Sequence, residues 1–591
     1  MKAFLVYILF LVSFFVSAQS DELAKEYFSK GEFDKALVAY EELHKSAPGN
    51  LMYFSRLVAC HQELQQYDKA GTLLEQRMGQ RNSQPTLLVE MGYNYQLQNN
   101  KEKAEEYYQQ AIAKVVENVN YSSGVAYTFE QKSLLEKALQ VYDLAGKQSD
   151  RFNFDFQKAR IYGQLGDIEK MIDSYLDYAS STPTTMIVVQ QHFSMFMNED
   201  DTFGFSDLLR KALLVRAQKT QEVMWNEFLS WFFVQQKQYD RAFVQEKAVF
   251  KRFPDSFEGL MNLADLTFEE ENYGLTTAIL NFILENSQDM EVQIFGQTYL
   301  TEIRIKTAES KDYPLIKTEI KKLLTDFGKN PYTVDLQILQ ARFTGFNLDN
   351  PQQAQQILHD ILKLPLNVFQ QAEIKMELAD MLLYEEKYNQ ALIYYSQIET
   401  DLKNHEIGHQ ASLKVAKTSY YKGDFPWALK QLSVLKTSFS QLIANDALEL
   451  HLLINDNKGD SLYTALNKFA KADFYLYKNK KDLALNQFEQ ILQQHKGEDI
   501  EAVTHLRIGE ILEKQQDYLT ALLHYETIIT SFPDGIYLDE ALFFSAEIYN
   551  KHLANPEKAK ELYEKVIFNH QDSIYFIEAR KQYRILRGDE V

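Results

Sequence analysis

Residues 481–570 read KDLALNQFEQILQQHKGEDIEAVTHLRIGEILEKQQDYLTALLHYETIITSFPDGIYLDEALFFSAEIYNKHLANPEKAKELYEKVIFNH, which is one pattern written three times. In each copy a small residue is followed four positions later by an aromatic and then by an aliphatic: Ala484, Phe488, Ile491; Ala521, Tyr525, Ile528; Ala559, Tyr563, Val566. Those offsets place all three on one helical face. The middle copy has Gly509 twelve residues before Ala521 and Pro533 twelve after it, so a first helix carries the glycine and a second the alanine. Gly or Ala where two helices cross permits close approach, and a neighbouring aromatic fills the gap.

Working outward, the alanine position recurs at Ala36, Ala70, Ala104 and Ala138, each 34 residues on, and at Met171 after 33 more. Gly92, Tyr95, Ala104, Tyr108 and Ala111 fill one unit; Ala126, Phe129, Ala138, Tyr142 and Ala145 fill the next. These residues resemble the tetratricopeptide repeat, a helix-turn-helix unit of about 34 residues. The resemblance implies an all-α, right-handed α-solenoid of about fourteen or fifteen stacked helix pairs. It also implies a concave face, lined by first helices, that holds other proteins.

From Thr184 to Gln353 the pattern blurs. Units at Ala242 and Ala278 are visible, and intermediate pairs are expected near Asp207 and Ile316. After Ala354 the small residues return at Ala391 and Ala428, and the next, Ala484, lies 56 positions on. The surplus contains a helical run with Asn445 and Asp446 that stops at Gly459. It reads as a joint between repeat blocks, with a binding device as the alternative. The expected organisation is therefore a signal peptide at 1–18, a repeat block at 19–183 and degenerate repeats at 184–353. A repeat block at 354–440, an irregular insertion or joint at 441–480 and a C-terminal block at 481–591 follow.

The chain opens MKAFLVYILFLVSFFVSAQ: a positive residue, a short apolar run and a small-residue cleavage site at Val16-Ser17-Ala18. This reads as a cleavable secretory signal, giving a periplasmic or secreted protein with no transmembrane anchor after cleavage. Position 19 is Gln, so the lipid attachment of a bacterial lipoprotein is missing. Across 591 residues, 62 Lys and Arg face 83 Asp and Glu, a formal charge of −21. Nucleic acid needs clustered cations and is excluded as the main partner. The single cysteine, Cys60, rules out an intrachain disulfide, so packing alone must hold the fold. The spacing at the C-terminus, with Ser531-Phe532-Pro533-Asp534-Gly535, resembles the repeats of bacterial envelope proteins such as the Tol-Pal cell-division coordinator. The aromatic-rich composition and the Ala-Gln signal end resemble secreted proteins of Bacteroidota.

One motif could carry chemistry. His405-Glu406-Ile407-Gly408-His409 fits the pattern in which two histidines one helical turn apart bind zinc and the glutamate is the base. The continuation found in one class of such proteases requires a glycine and a third histidine where this chain has Ser412 and Val415. A third ligand, such as Glu449, would have to come from elsewhere. The expectation is a solvated helix start, with a zinc-dependent hydrolase as the alternative. Phosphate-binding glycine loops, nucleophile elbows and Cys-x-x-Cys pairs are missing, so no cofactor is expected.

What remains is the groove. Carried over from the repeat family, the positions that face it hold Tyr93, Gln96, Tyr127, Gln131, Arg160 and Gln164 in the N-terminal block, and Tyr384, Lys417 and Tyr421 further on. Tyrosines, amides and a few charges suit envelope proteins or peptides, held by stacking and hydrogen bonds. The expectation is a non-catalytic scaffold of the cell envelope; glycan or peptidoglycan binding by the aromatic groove is the other alternative.

Overall fold

The computed structural model describes residues 21–80, 84–149, 151–198, 204–220, 222–436, 441–458 and 462–589. The expected signal peptide and the Gly459 helix stop lie outside them. Among the described residues there is no strand, and helices pack in successive antiparallel pairs, fifteen hairpins in all. The fold is all-α, built of stacked hairpins in two compact units, Met1–Leu263 and Ala264–Val591. No described helix is long and apolar enough to cross a membrane.

The alanine register fixes where the helices cross. Second helices such as Leu135–Gln148, Tyr388–Asp401 and Tyr518–Ser531 carry the small residue at their fourth position, and Ala138, Ala391 and Ala521 are all fully buried. The same holds in the blurred stretch, where Phe205–Lys219, Tyr273–Asn286 and Tyr313–Asp326 place the fully buried Leu209, Thr276 and Ile316 at the crossing, Leu209 one position later than the others because the left-handed Gly204 directly precedes its helix. The Ala278 reading is thereby corrected. Thr276 is the buried crossing residue, its hydroxyl donating to the Asn272 carbonyl at 2.9 Å, and Ala278 is exposed. A threonine that returns its hydroxyl to its own helix substitutes for alanine at such a site.

One turn of each second helix further on, a tyrosine often fills the space left by the small residue. Tyr108, Tyr142, Tyr395, Tyr525 and Tyr563 are buried, and each donates its hydroxyl to the first helix of its own hairpin, to Gln96, Glu130, Asp380, Glu513 and Glu547 respectively. The ring supplies apolar burial while its polar tip stays satisfied.

The turns are equally regular. In thirteen hairpins the residue two before the second helix has a positive φ, and only Gly31, Gly166 and Gly423 among these are glycine. A side chain there carries left-handed backbone strain of about 1–2 kcal/mol. Ala554, at φ 47°, has no polar side chain to offset it. Ala554→Gly is expected to stabilise the C-terminal unit by about 0.5–1 kcal/mol, allowing for the extra freedom of the unfolded glycine. A rise in urea midpoint at unchanged slope is the readout; a fall would show that the turn is not strained.

In the C-terminal unit two features depart from a simple stack. Helix Gln441–Asp456 has no hairpin partner, and packs on Phe425–Leu435. Its Ile443, Ala447, Leu450, Leu453 and Ile454 join one core with Tyr420, Phe469 and Phe488. The surplus residues are a built part of the interior. In addition, the end of helix Thr464–Tyr477 reaches back to much earlier hairpins. The Tyr477 hydroxyl lies 3.2 Å from Asp380, Lys478 pairs with Glu386 at 2.8 Å, and Lys480 lies 3.4 Å from Asp349. Asp349 and Glu386 are themselves left-handed turn residues, as is Asn479 between the two lysines, so three turns meet at one point.

Candidate functional site

The first helices Glu406–Lys422, Thr464–Tyr477 and Ile500–Lys514, with the unpaired helix Gln441–Asp456, line a half-open cavity of about 450 Å³ in the C-terminal unit. A larger cleft of about 700 Å³ lies among Gln297, Thr301, Arg304 and Glu319, but the Arg304–Glu319 ion pair joins its own walls. Of these two, the first gathers half-buried titratable groups around aromatic rings.

Its geometry follows from helical spacing. Tyr420 and Tyr421 lie near the end of their helix, with Tyr421 packing against Phe474 at 5.1 Å and Tyr477 at 5.8 Å between ring centres. The Tyr420 hydroxyl donates to Asp473 at 2.8 Å. Asp473 sits between the buried Ala472 and Phe474, and Arg507 between the buried Leu506 and Ile508, so packing of the apolar neighbours forces both charges into the wall. Arg507 divides its guanidinium between Glu449 at 2.8 Å and Glu510 at 2.9 Å. Lys417 pairs with Asp446 at 3.2 Å, whereas Lys481 and Lys514 are exposed.

Burial shifts the carboxyls in and behind the wall. Burial pushes the Asp473 carboxyl up to about 6 against the pull of Arg507. Behind it, burial and then the neighbouring carboxylates Asp539, Glu510 and Glu449 push Glu540 up to about 7. One Glu540 carboxylate oxygen is fully buried without a hydrogen-bond partner. Burial alone would lower Arg507; Glu510, Asp473 and Glu449 outweigh it and hold the guanidinium charged.

Of the residues expected to face the groove, Lys417 and Tyr421 line this cavity. Tyr384 does not: it is 5% exposed, donates its hydroxyl to Asp349 and packs its ring on Phe346, so the expected groove position is occupied by internal packing. In the N-terminal unit Tyr127, Gln131, Arg160 and Gln164 are exposed on their first helices. Tyr93 is half-buried with Lys132 over its ring at 4.6 Å, and Gln96 accepts from Tyr108 at 2.9 Å. The cavity's Asp473, Glu510, Arg507 and Tyr477 are not among the expected residues, and Glu449 is expected only as a possible zinc ligand. Charged residues set between buried apolar neighbours of a first helix, as at 473 and 507, are the signal that marks them.

The zinc-protease motif takes a different form. His405 caps the helix and does not lie within it: its Nδ1 accepts from the Ile407 amide at 3.3 Å and its ring packs on Phe369. Gly408 is required by close approach, since a Cβ there would collide with the Leu402 carbonyl. Glu449, the proposed third ligand, is bound to Arg507. Among the described residues no three His, Cys, Asp or Glu side chains form a metal-holding group. Cys60 is fully buried, and burial pushes its thiol up to about 11, which makes it a core residue.

Comparison with known proteins supports the repeat reading. Tetratricopeptide-repeat family models match residues 89–151 and 156–185, which lie in the N-terminal unit. No curated protein matches the chain. Among solved structures it is similar to a Naa15/Naa10 complex bound to HypK-THB, at 13% identity over 97% of this chain and 100% of that one, with a TM-score of 0.26. It is also similar to the APC/C hetero-tetramer Cut9-Hcn1, at 14% identity over 97% and 98%, with a TM-score of 0.25. Scores that low add no argument about this chain.

Proposed function

We propose that this chain is a non-catalytic scaffold, exported to the bacterial cell envelope, that holds an extended segment of a partner protein against the first-helix face of its C-terminal unit. The observation that carries the reading is the cavity of about 450 Å³, walled by three first helices and by a helix added to the repeat pattern. A preformed surface of this kind binds without ordering itself, so specificity resides in its side chains. The tetratricopeptide matches support a protein-interaction role. Export and a Bacteroidota-type envelope setting rest on the signal-like start and on composition.

A photo-crosslinking amino acid placed at Lys417 or Lys514 in cells tests the reading. One or two envelope proteins are expected to be captured reproducibly from both positions, and neither from the exposed Lys45 of the N-terminal unit. Efficient photolysis with no captured protein would overturn the scaffold; capture of cytosolic proteins alone would overturn the location.

A further inference from the structure

We infer that His505 and His524 form a binding site for one divalent ion of tetragonal preference, copper(II) or nickel(II), within the hairpin of helices Ile500–Lys514 and Tyr518–Ser531. The two Nδ1 atoms face each other at 2.9 Å, with ring centres 5.1 Å apart. Their placement follows from the crossing. His524 directly precedes the fully buried Tyr525, and His505 lies one turn before Gly509, the glycine against which that ring packs. The rigid crossing holds both imidazoles, and each stays partly exposed, so an ion can reach them from solvent.

The spacing selects the ion. Metal–nitrogen bonds of about 2.0–2.1 Å meeting at a right angle set their nitrogens about 2.9 Å apart, which is the separation of the two Nδ1 atoms. A tetrahedral ion would need about 3.3 Å, and zinc in structural sites takes four protein ligands. Copper(II) and nickel(II) favour a square plane, in which two imidazole nitrogens stand side by side and oxygen ligands take the other positions.

The surroundings fit an ion as well. Glu501, one turn before His505, places Oε1 4.0 Å from the Nε2 of His505 and is anchored by the Gly497 amide at 2.5 Å. A carboxylate facing the far nitrogen of a ligating histidine favours the tautomer that carries its proton there, which leaves the lone pair on Nδ1. Without an ion, His524 then donates its Nδ1 proton to His505. With one, that proton passes to the Nε2 of His524, and both Nδ1 lone pairs meet the metal. Burial works against the imidazolium form of both rings, so neither brings a competing charge. The charged groups that act on the pair are Glu501 and Glu489, and two carboxylates match the double charge of the ion. No third side chain among the described residues is already set as a ligand, so the rest of the plane falls to water and to Glu489, exposed on helix Lys481–Gln494.

The test is a titration of the purified full chain with copper(II) at pH 7.5 against glycine as a competing chelator, followed by electron paramagnetic resonance and by carbethoxylation of histidines read in mass spectrometry. One ion per chain is expected, coupled to two imidazole nitrogens. His505 and His524 should be shielded from modification at least tenfold, and His405 and His409 should not. Nickel(II) should shield the same pair; equal shielding by zinc(II) would overturn the choice of ion. His505→Phe and His524→Phe should each weaken binding at least tenfold and abolish the two-nitrogen signal. Glu501→Gln, which removes a positioning group, should weaken binding about tenfold with that signal unchanged. Shielding of other histidines, or equal binding by the His524→Phe protein, would reduce the copper to adventitious surface binding and overturn the site. No shielding at one equivalent of copper would overturn it also. Shielding is read on the unaltered chain, so the test stands if a histidine variant does not fold. The scaffold reading rests on the cavity and is decided separately by cross-linking.

Discussion

Arg507→Met is expected to destabilise the C-terminal unit by about 3 kcal/mol at pH 7.5, and by much less at pH 5. Methionine keeps the length of the stem and its packing, so the loss isolates the charge. Glu449 and Glu510 would each lose a hydrogen bond of under 3 Å, and Asp473 its nearest opposing charge. The direction with pH follows from proton binding. Carboxyls whose pKa is raised by folding hold more protons in the native than in the unfolded state between about pH 4 and 7, so native stability rises as pH falls through that window. Asp473 and Glu540 already stand at about 6 and about 7, and removing Arg507 pushes both further. The penalty must therefore shrink on acidification. Hydrogen exchange in peptides from 464–531, read at the two pH values, is the measurement. An equal loss at both would show that Arg507 acts through packing alone.

Gly509→Val is expected to cost about 3 kcal/mol by overpacking a crossing. A Cβ at this position would collide with the ring of Tyr525, which is fully buried and donates to Glu513 at 3.1 Å. The ring has no free volume to enter, because Ala521 and Ile528 beside it are fully buried too. Gly92 stands in the same relation to Tyr108 in the N-terminal unit, so the rule is a property of the repeat. Combining Gly509→Val with Tyr525→Leu should recover at least about 1 kcal/mol of the summed single losses, since neighbours in contact are not additive. Strict additivity would place the strain elsewhere.

The glycine–tyrosine and alanine registers were legible because they are local: offsets of four and twelve residues along one hairpin specify a crossing without reference to the rest of the chain. Between 184 and 353 the same geometry persists with Leu209, Thr276 and Ile316 at the crossings. Composition alone hid it there, and the nearby exposed Ala278 drew the register two residues off. The site was legible only in part for the converse reason. Lys417 and Tyr421 follow from their place beside Ala416, but Glu449, Asp473 and Arg507 stand on three different helices, and no spacing within a helix brings them together. For the helix Gln441–Asp456 the sequence leaves joint and binding device both open, because an insertion says nothing about whether its apolar face finds a core. Here it does, and in doing so it sets Asp446 and Glu449 in the cavity wall.

The meeting of the turns at Asp349, Glu386 and Asn479 bears on the order in which this unit comes into being. An array whose members touch only their neighbours can be completed hairpin by hairpin as the polypeptide emerges N-terminus first. Lys480 and Asp349 are separated by 131 positions, so the hairpins between them cannot reach their final arrangement until the helix Thr464–Tyr477 has been synthesised. The cavity is completed later still, when the helix Ile500–Lys514 brings Arg507 and Glu510 to a wall that Tyr477 shares with the turn junction. A nascent chain halted short of this helix would carry stacked hairpins and an unfinished cavity.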